Sequence, residues 1–150
     1  MRKTFPVASY STSVESPKPV EEAFDYMADF RNAEEWDENT SSVKLTSGQA
    51  GQAGSEYEVI TGFAGRDMKL SYRTVEVDRP SKVVFESSTG MAKIRDTIEF
   101  SGDEKGCEVK YDARILTNGL AKVIDPLFSL IFKRVGDRAA ASLRKALGAR

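Results

Sequence analysis

Residues 56–77 read EYEVITGFAGRDMKLSYRTVEV, and the alternation within them decides the architecture. Tyr57, Val59 and Thr61 share one parity, while Glu56, Glu58 and Ile60 share the other. A turn over residues 62–65 leads to Met68, Leu70, Tyr72 and Thr74, alternating with Lys69, Ser71 and Arg73. Successive side chains of a strand point to opposite faces, so this pattern predicts two antiparallel strands with one buried face. Val75 and Val77 then switch parity, which predicts a β-bulge near residues 73–75.

The same period of two extends in both directions. Upstream, Val43 and Leu45 begin a strand that ends in a glycine-rich loop, GQAGQAG, over residues 48–54. Downstream, a proline-containing turn at 78–82 precedes Val83, Phe85, Ser87 and Thr89, with a further turn at Gly90. Ile94, Asp96, Ile98 and Phe100 follow on one parity. A hairpin loop at 102–106 then leads to Cys107, Val109, Tyr111, Ala113 and Ile115. Outside this block the period becomes 3.6. Val20, Ala23, Phe24, Met27 and Ala28 mark one buried helical face, with Pro19 placed at the first helical position and Glu21 and Glu22 favoured by the helix dipole. A short helix is predicted around 33–36, and a first strand over 7–15, carrying Tyr10, Thr12 and Val14, stops at Pro17. Asn118-Gly119 ends the sheet, Asp125-Pro126 starts the last helix, and that helix runs to Leu147, about 33 Å at 1.5 Å per residue. Its buried stripe is Leu127, Ile131, Val135, Ala139, Leu143 and Ala146.

The order β-α-α-β6-α predicts an α+β helix-grip fold: a curved, seven-stranded antiparallel sheet wrapped around a long C-terminal helix, in one domain over 1–150. The run VESPKPVEEAFDYMADFRNAEEWDE (residues 14–38), the glycine at 54 before the third strand, and VEVDRPSKVVFES (75–87) resemble the polyketide cyclase/dehydrase branch of the SRPBCC superfamily, the START-like and birch-pollen-allergen fold. The resemblance spans residues 7–147. It rests on packing and turn residues, which specify fold well and activity poorly.

Composition narrows the chemistry. The 150 residues are 40% hydrophobic and 30% charged, with one cysteine and no histidine. Absent histidine excludes Ser-His and Cys-His nucleophiles and any imidazole-based metal site. A lone cysteine makes no internal disulfide and fits a reducing, cytoplasmic setting. The N-terminus lacks the apolar region of a secretory signal, and no apolar run approaches the roughly 20 residues of a membrane-spanning helix. Residues 15–38 carry nine acids against Lys18 and Arg31, and residues 120–150 seven bases against Asp125 and Asp137. Two solvated helix faces of opposite sign account for this, and a pI near 5.6 does not favour nucleic acid.

A curved sheet gripping one helix leaves internal space unless large side chains fill it. The predicted lining is Tyr57, Val59, Thr61, Met68, Leu70, Tyr72, Thr74, Phe85, Ser87, Ile94, Asp96, Ile98, Tyr111 and Ala113 from the sheet, with Leu127, Phe128, Ile131 and Val135 from the helix. The alternative is that these residues form a packed core. Asp96 is the sharpest signal, because its parity turns a carboxylate inward, where an unpaired charge is costly. Inward Tyr57, Tyr72, Tyr111, Thr61 and Thr74 need hydrogen-bond partners too.

Three functions follow. The first is binding of a small hydrophobic molecule (lipid-like, isoprenoid or polycyclic aromatic). The second is a cofactor-free cyclase or dehydratase with Asp96, Tyr72 and Tyr111 as general base and acids. The third is a protein-interaction module using the charged helices. No cofactor, metal, nucleic acid or integral membrane association is implied, and the apolar run LFSLIF (127–132) fits a homodimer patch as well as a cavity wall. Trp36 reads as a core seal, Cys107 as a buried strand thiol, and residues 34–38 as a solvated helix end. Phe63 reads equally as a tip closing over a pocket mouth and as an exposed turn aromatic.

Overall fold

The alternation over 56–77 resolves into β3 (Glu56–Phe63) and β4 (Arg66–Asp78), paired Tyr57 to Tyr72 and Phe63 to Arg66. The structure is a computed structural model, and it describes residues 5–63, 65–88, 92–117 and 126–148. The remaining elements are β1 (Phe5–Ser16), α1 (Val20–Ala28), a 3-10 turn (Phe30–Asn32), α2 (Ala33–Trp36), β2 (Thr40–Ser47), β5 (Lys82–Ser88), β6 (Ala92–Asp103), β7 (Gly106–Thr117) and α3 (Pro126–Ala146). The strands form one antiparallel sheet in the order β1-β7-β6-β5-β4-β3-β2. Its concave face holds the helices, the helix-grip arrangement.

The bulge falls where the parity switch puts it, between Thr74 and Glu76. Both hairpins are tighter than expected. Pairing runs to Phe63 and Arg66, inside the expected turn at 62–65, with Gly65 at φ 78° supplying a left-handed step. Likewise Asp103 still pairs with Gly106. Pro19 sits just outside α1 with an extended ψ of 144°, and the helix starts at Val20. The turn at Gly90, the Asn118-Gly119 stop and the Asp125 cap lie outside the described residues.

Sequence periodicity gives no sign of the 3-10 turn, because polar contacts make it. The Asp29 carboxylate accepts the Arg31 backbone N–H at 3.1 Å and pairs with the Arg31 guanidinium at 2.7 Å. That cap drives Phe30 into the core, where its ring lies 4.4 Å from Phe85, 5.0 Å from Tyr72 and 5.7 Å from Tyr57. Phe24, Met27, Trp36, Ile98, Phe100 and Val109 fill the same end of the molecule.

α3 is fixed on both sides of its middle. Tyr10 donates to Asp137 at 2.7 Å, Asn39 Nδ2 to the Val135 carbonyl at 2.9 Å, and Ser142 to the Trp36 carbonyl at 2.7 Å. Gly136 lets the helix approach β1 closely, since a Cβ there would lie 2.5 Å from the Tyr10 ring. No helix among the described residues is long and apolar enough to cross a membrane.

Candidate functional site

Between α3 and the sheet lies a cavity of about 310 Å³. Its walls come from β1 (Tyr10, Thr12), the α2 end (Trp36, Asp37), β3 and β4 (Thr61, Gly62, Phe63, Met68, Leu70, Tyr72), β6 and β7 (Ala92, Ile94, Asp96, Tyr111, Ala113, Ile115), and α3 (Phe132, Val135, Gly136, Ala139, Ala140, Leu143). The helix creates this space with small side chains. Gly136, Ala139 and Ala140 face the sheet where Leu143 and Leu147 fill the next turns.

The expected lining separates into two groups. Thr61, Met68, Leu70, Tyr72, Ile94, Asp96, Tyr111, Ala113 and Val135 do line the cavity. Tyr57, Val59, Phe85 and Ile98 do not; all four are buried in the core, packed behind Phe30 and its neighbours. The reason for Tyr57 is specific. Its hydroxyl turns away to accept from Ser55 Oγ and from Gly51 N–H, both at 3.3 Å, under the glycine-rich loop. Thr74 joins that group through Ser55 at 2.8 Å, so it is structural. Ser87 is buried outside the lining, and Ile131 gives its place to Phe132, one residue on. The side chains of Leu127 and Phe128 lie outside the described residues. Met68 is 38% exposed, at the open rim.

Asp96 anchors the polar end. It is 5% exposed, and Tyr111 donates to its Oδ2 at 2.7 Å. Burial pushes its carboxyl from an ordinary 3.8 up to about 7; the Tyr111 hydrogen bond opposes this, and the charges of Asp37 and Asp112 add to it. Burial, followed by the nearby acid, holds the Tyr72 and Tyr111 hydroxyls well above their ordinary 10.0. Asp37 is raised by burial as well, but its oxygens are engaged by Asn39 and Thr40 at 2.9–3.0 Å. An acid near neutrality beside a phenol can accept or deliver a proton, or hold a polar head group.

Trp36 and Asp37 were not in the expected lining. The small residues Gly136, Ala139 and Ala140 of this amphipathic helix are the sequence signal for that space. Trp36 is both core seal and cavity wall, its ring 5.4 Å from Tyr111. Phe63 also lines the cavity. Cys107 is buried, and burial raises its thiol. The acidic run disperses among separate partners: Glu34 accepts from Val43 N–H at 2.9 Å, Glu35 from Tyr26 at 3.2 Å, and Glu38 pairs with Arg138 at 3.4 Å. That last pair joins the acidic and basic helices within the molecule.

Residues 7–148 match the family described as polyketide cyclase/dehydrase and lipid transport. A search of curated proteins by sequence found no match. Among solved structures, a START superfamily protein from Mycobacterium smegmatis superposes with a TM-score of 0.75 at 10% identity, covering 93% of this chain and 97% of that one. The ZhuI aromatase/cyclase from Streptomyces sp. R1128 gives 0.73 at 11% identity, covering 97% and 92%. A protein from Thermobifida fusca gives 0.66 at 22%, covering 93% of each. At these identities the likeness is one of fold. The match over nearly the whole length makes the chain a member of the polyketide cyclase/dehydrase and lipid transport family, within the SRPBCC superfamily.

Proposed function

We propose that the protein binds a small hydrophobic molecule in the cavity between α3 and the sheet. The observation that carries this reading is the contrast in filling: one end of the interior is closed by large rings, while the other keeps about 310 Å³ of mostly apolar space. That volume is at the small end of the range for ligand pockets. Relatives named for lipid transport and for aromatase/cyclase activity agree with a hydrophobic ligand.

Native mass spectrometry on freshly purified protein, with a thermal-shift screen of fatty acids, isoprenoids and polycyclic aromatics, tests the proposal. A co-purified mass or a concentration-dependent rise in Tm is expected. Ala139→Phe should abolish either signal while the fold remains, because Ala139 borders open space. No bound mass and no shift in any class sinks the reading.

A second reading, a cofactor-free cyclase or dehydratase, draws on the Asp96–Tyr111 pair at 2.7 Å. Its mark is turnover that Asp96→Asn abolishes while ligand binding survives.

A further inference from the structure

We infer that the cavity takes a compact apolar ligand, about the size of a naphthalene ring system, whose head donates hydrogen bonds and carries no negative charge: an arylmethyl alcohol or arylmethyl amine rather than a carboxylate. This rests on the reading that the cavity is a binding site. Size comes first. At about 310 Å³ the cavity is at the small end of ligand pockets, so a compact bicyclic aromatic with a short head suits it. Trp36, Phe63, Tyr72, Tyr111 and Phe132 offer ring surfaces for an aromatic body.

The head is selected by what the polar end lacks. Tyr111 occupies Asp96 Oδ2, and no group among the described residues donates to Oδ1. Tyr72 is 8% exposed and lines the same space, and its hydroxyl makes no hydrogen bond among the described residues. An acceptor left open on a cavity-lining residue is stabilised by any donor that reaches it. Among the described lining residues the charged groups are Asp37 and Asp96, with no lysine or arginine beside them. Asp112, the other acid that acts on Asp96, is committed to Arg114 at 2.8 Å. A carboxylate head would therefore bring a third negative charge into a low-dielectric space, where the Tyr72 hydroxyl and the unpartnered Trp36 Nε1–H offer donors but no positive charge. A hydroxyl head avoids that repulsion, and an ammonium head gains from the acids and from the aromatic faces.

The test compares three ligands with one body: 2-naphthylmethanol, 2-naphthylmethylamine and 2-naphthoate. Binding is measured by calorimetry at about pH 8, above the value near 7 where Asp96 ionises. The alcohol and the amine should each bind at least about tenfold tighter than the acid. Asp96→Asn should shrink the advantage of the amine over the acid. If 2-naphthoate matches or beats the other two, the head-group inference fails while the cavity reading stands. If none of the three binds while the wider screen still finds a ligand, this inference fails and the cavity reading stands; if that screen is also empty, both fail.

Discussion

Strand β6 crosses both halves of the interior. Phe100 and Ile98 lie at the packed end, with Phe24 5.2 Å from the Phe100 ring and Ile98 fully buried against the core. Two residues on, Asp96 marks the boundary, and Ile94 on the same face is half-buried at the cavity wall. Backbone, parity and sheet neighbours are the same kind at both ends. What differs lies across the gap, where α1 and the 3-10 turn present Phe24 and Phe30 but α3 presents Gly136, Ala139 and Ala140. The cavity in this chain is thus set by the helix opposite the strands.

The sharpest way to break the comparison is the same substitution at both isoleucines. Ile98→Ala removes atoms that are fully enclosed, so both the transfer and the cavity terms apply, and it should cost about 2–5 kcal/mol, toward the upper half. Ile94→Ala enlarges a space that already exists and should cost roughly half as much. Denaturant unfolding of both variants decides it. Equal losses would mean the open end is as well packed in solution as the closed one.

The boundary residue gives the next largest effect, and it depends on pH. The folded value of Asp96, about 7, lies above its ordinary 3.8. The folded state therefore holds the proton more tightly than the unfolded chain does. This contribution is full below about pH 4, declines as pH rises toward 7, and is gone above that. Asp96→Asn has no proton to lose and keeps an oxygen for Tyr111. The stability of the variant relative to wild type should therefore rise by about 4 kcal/mol between pH 4 and pH 8. A difference that stays flat across that range would place Asp96 in a wet, ordinary environment and remove the distinction between the two ends at this residue.

Strand parity also shows what a sequence can reveal here. Ile94, Asp96 and Ile98 were legible as inward residues because period two is a local property. The bulge after Thr74 was legible for the same reason. Depth along a strand was not. Tyr57 and Tyr72 share a face and pair directly, yet one hydroxyl turns to the glycine-rich loop and the other borders the cavity. That split depends on Phe30, inserted by a carboxylate–guanidinium cap that hydrophobic periodicity does not register.

The smallest predicted effect locates the boundary most finely. Ser87 pairs with Tyr72 on one side and Ile94 on the other, and both of those residues line the cavity. Ser87 itself is 2% exposed and outside the lining, and its hydroxyl is buried with no hydrogen-bond partner. An unpartnered hydroxyl in a dry setting is a cost, so Ser87→Ala should leave stability unchanged or raise it by up to about 1 kcal/mol. Loss of stability by a similar amount would carry the opposite message. It would mean that a water reaches Ser87 and satisfies it. The cavity would then extend past Tyr72 toward β5, and a ligand sized to 310 Å³ would underfill it. The sign of this one substitution therefore constrains the shape of the site more tightly than its magnitude does.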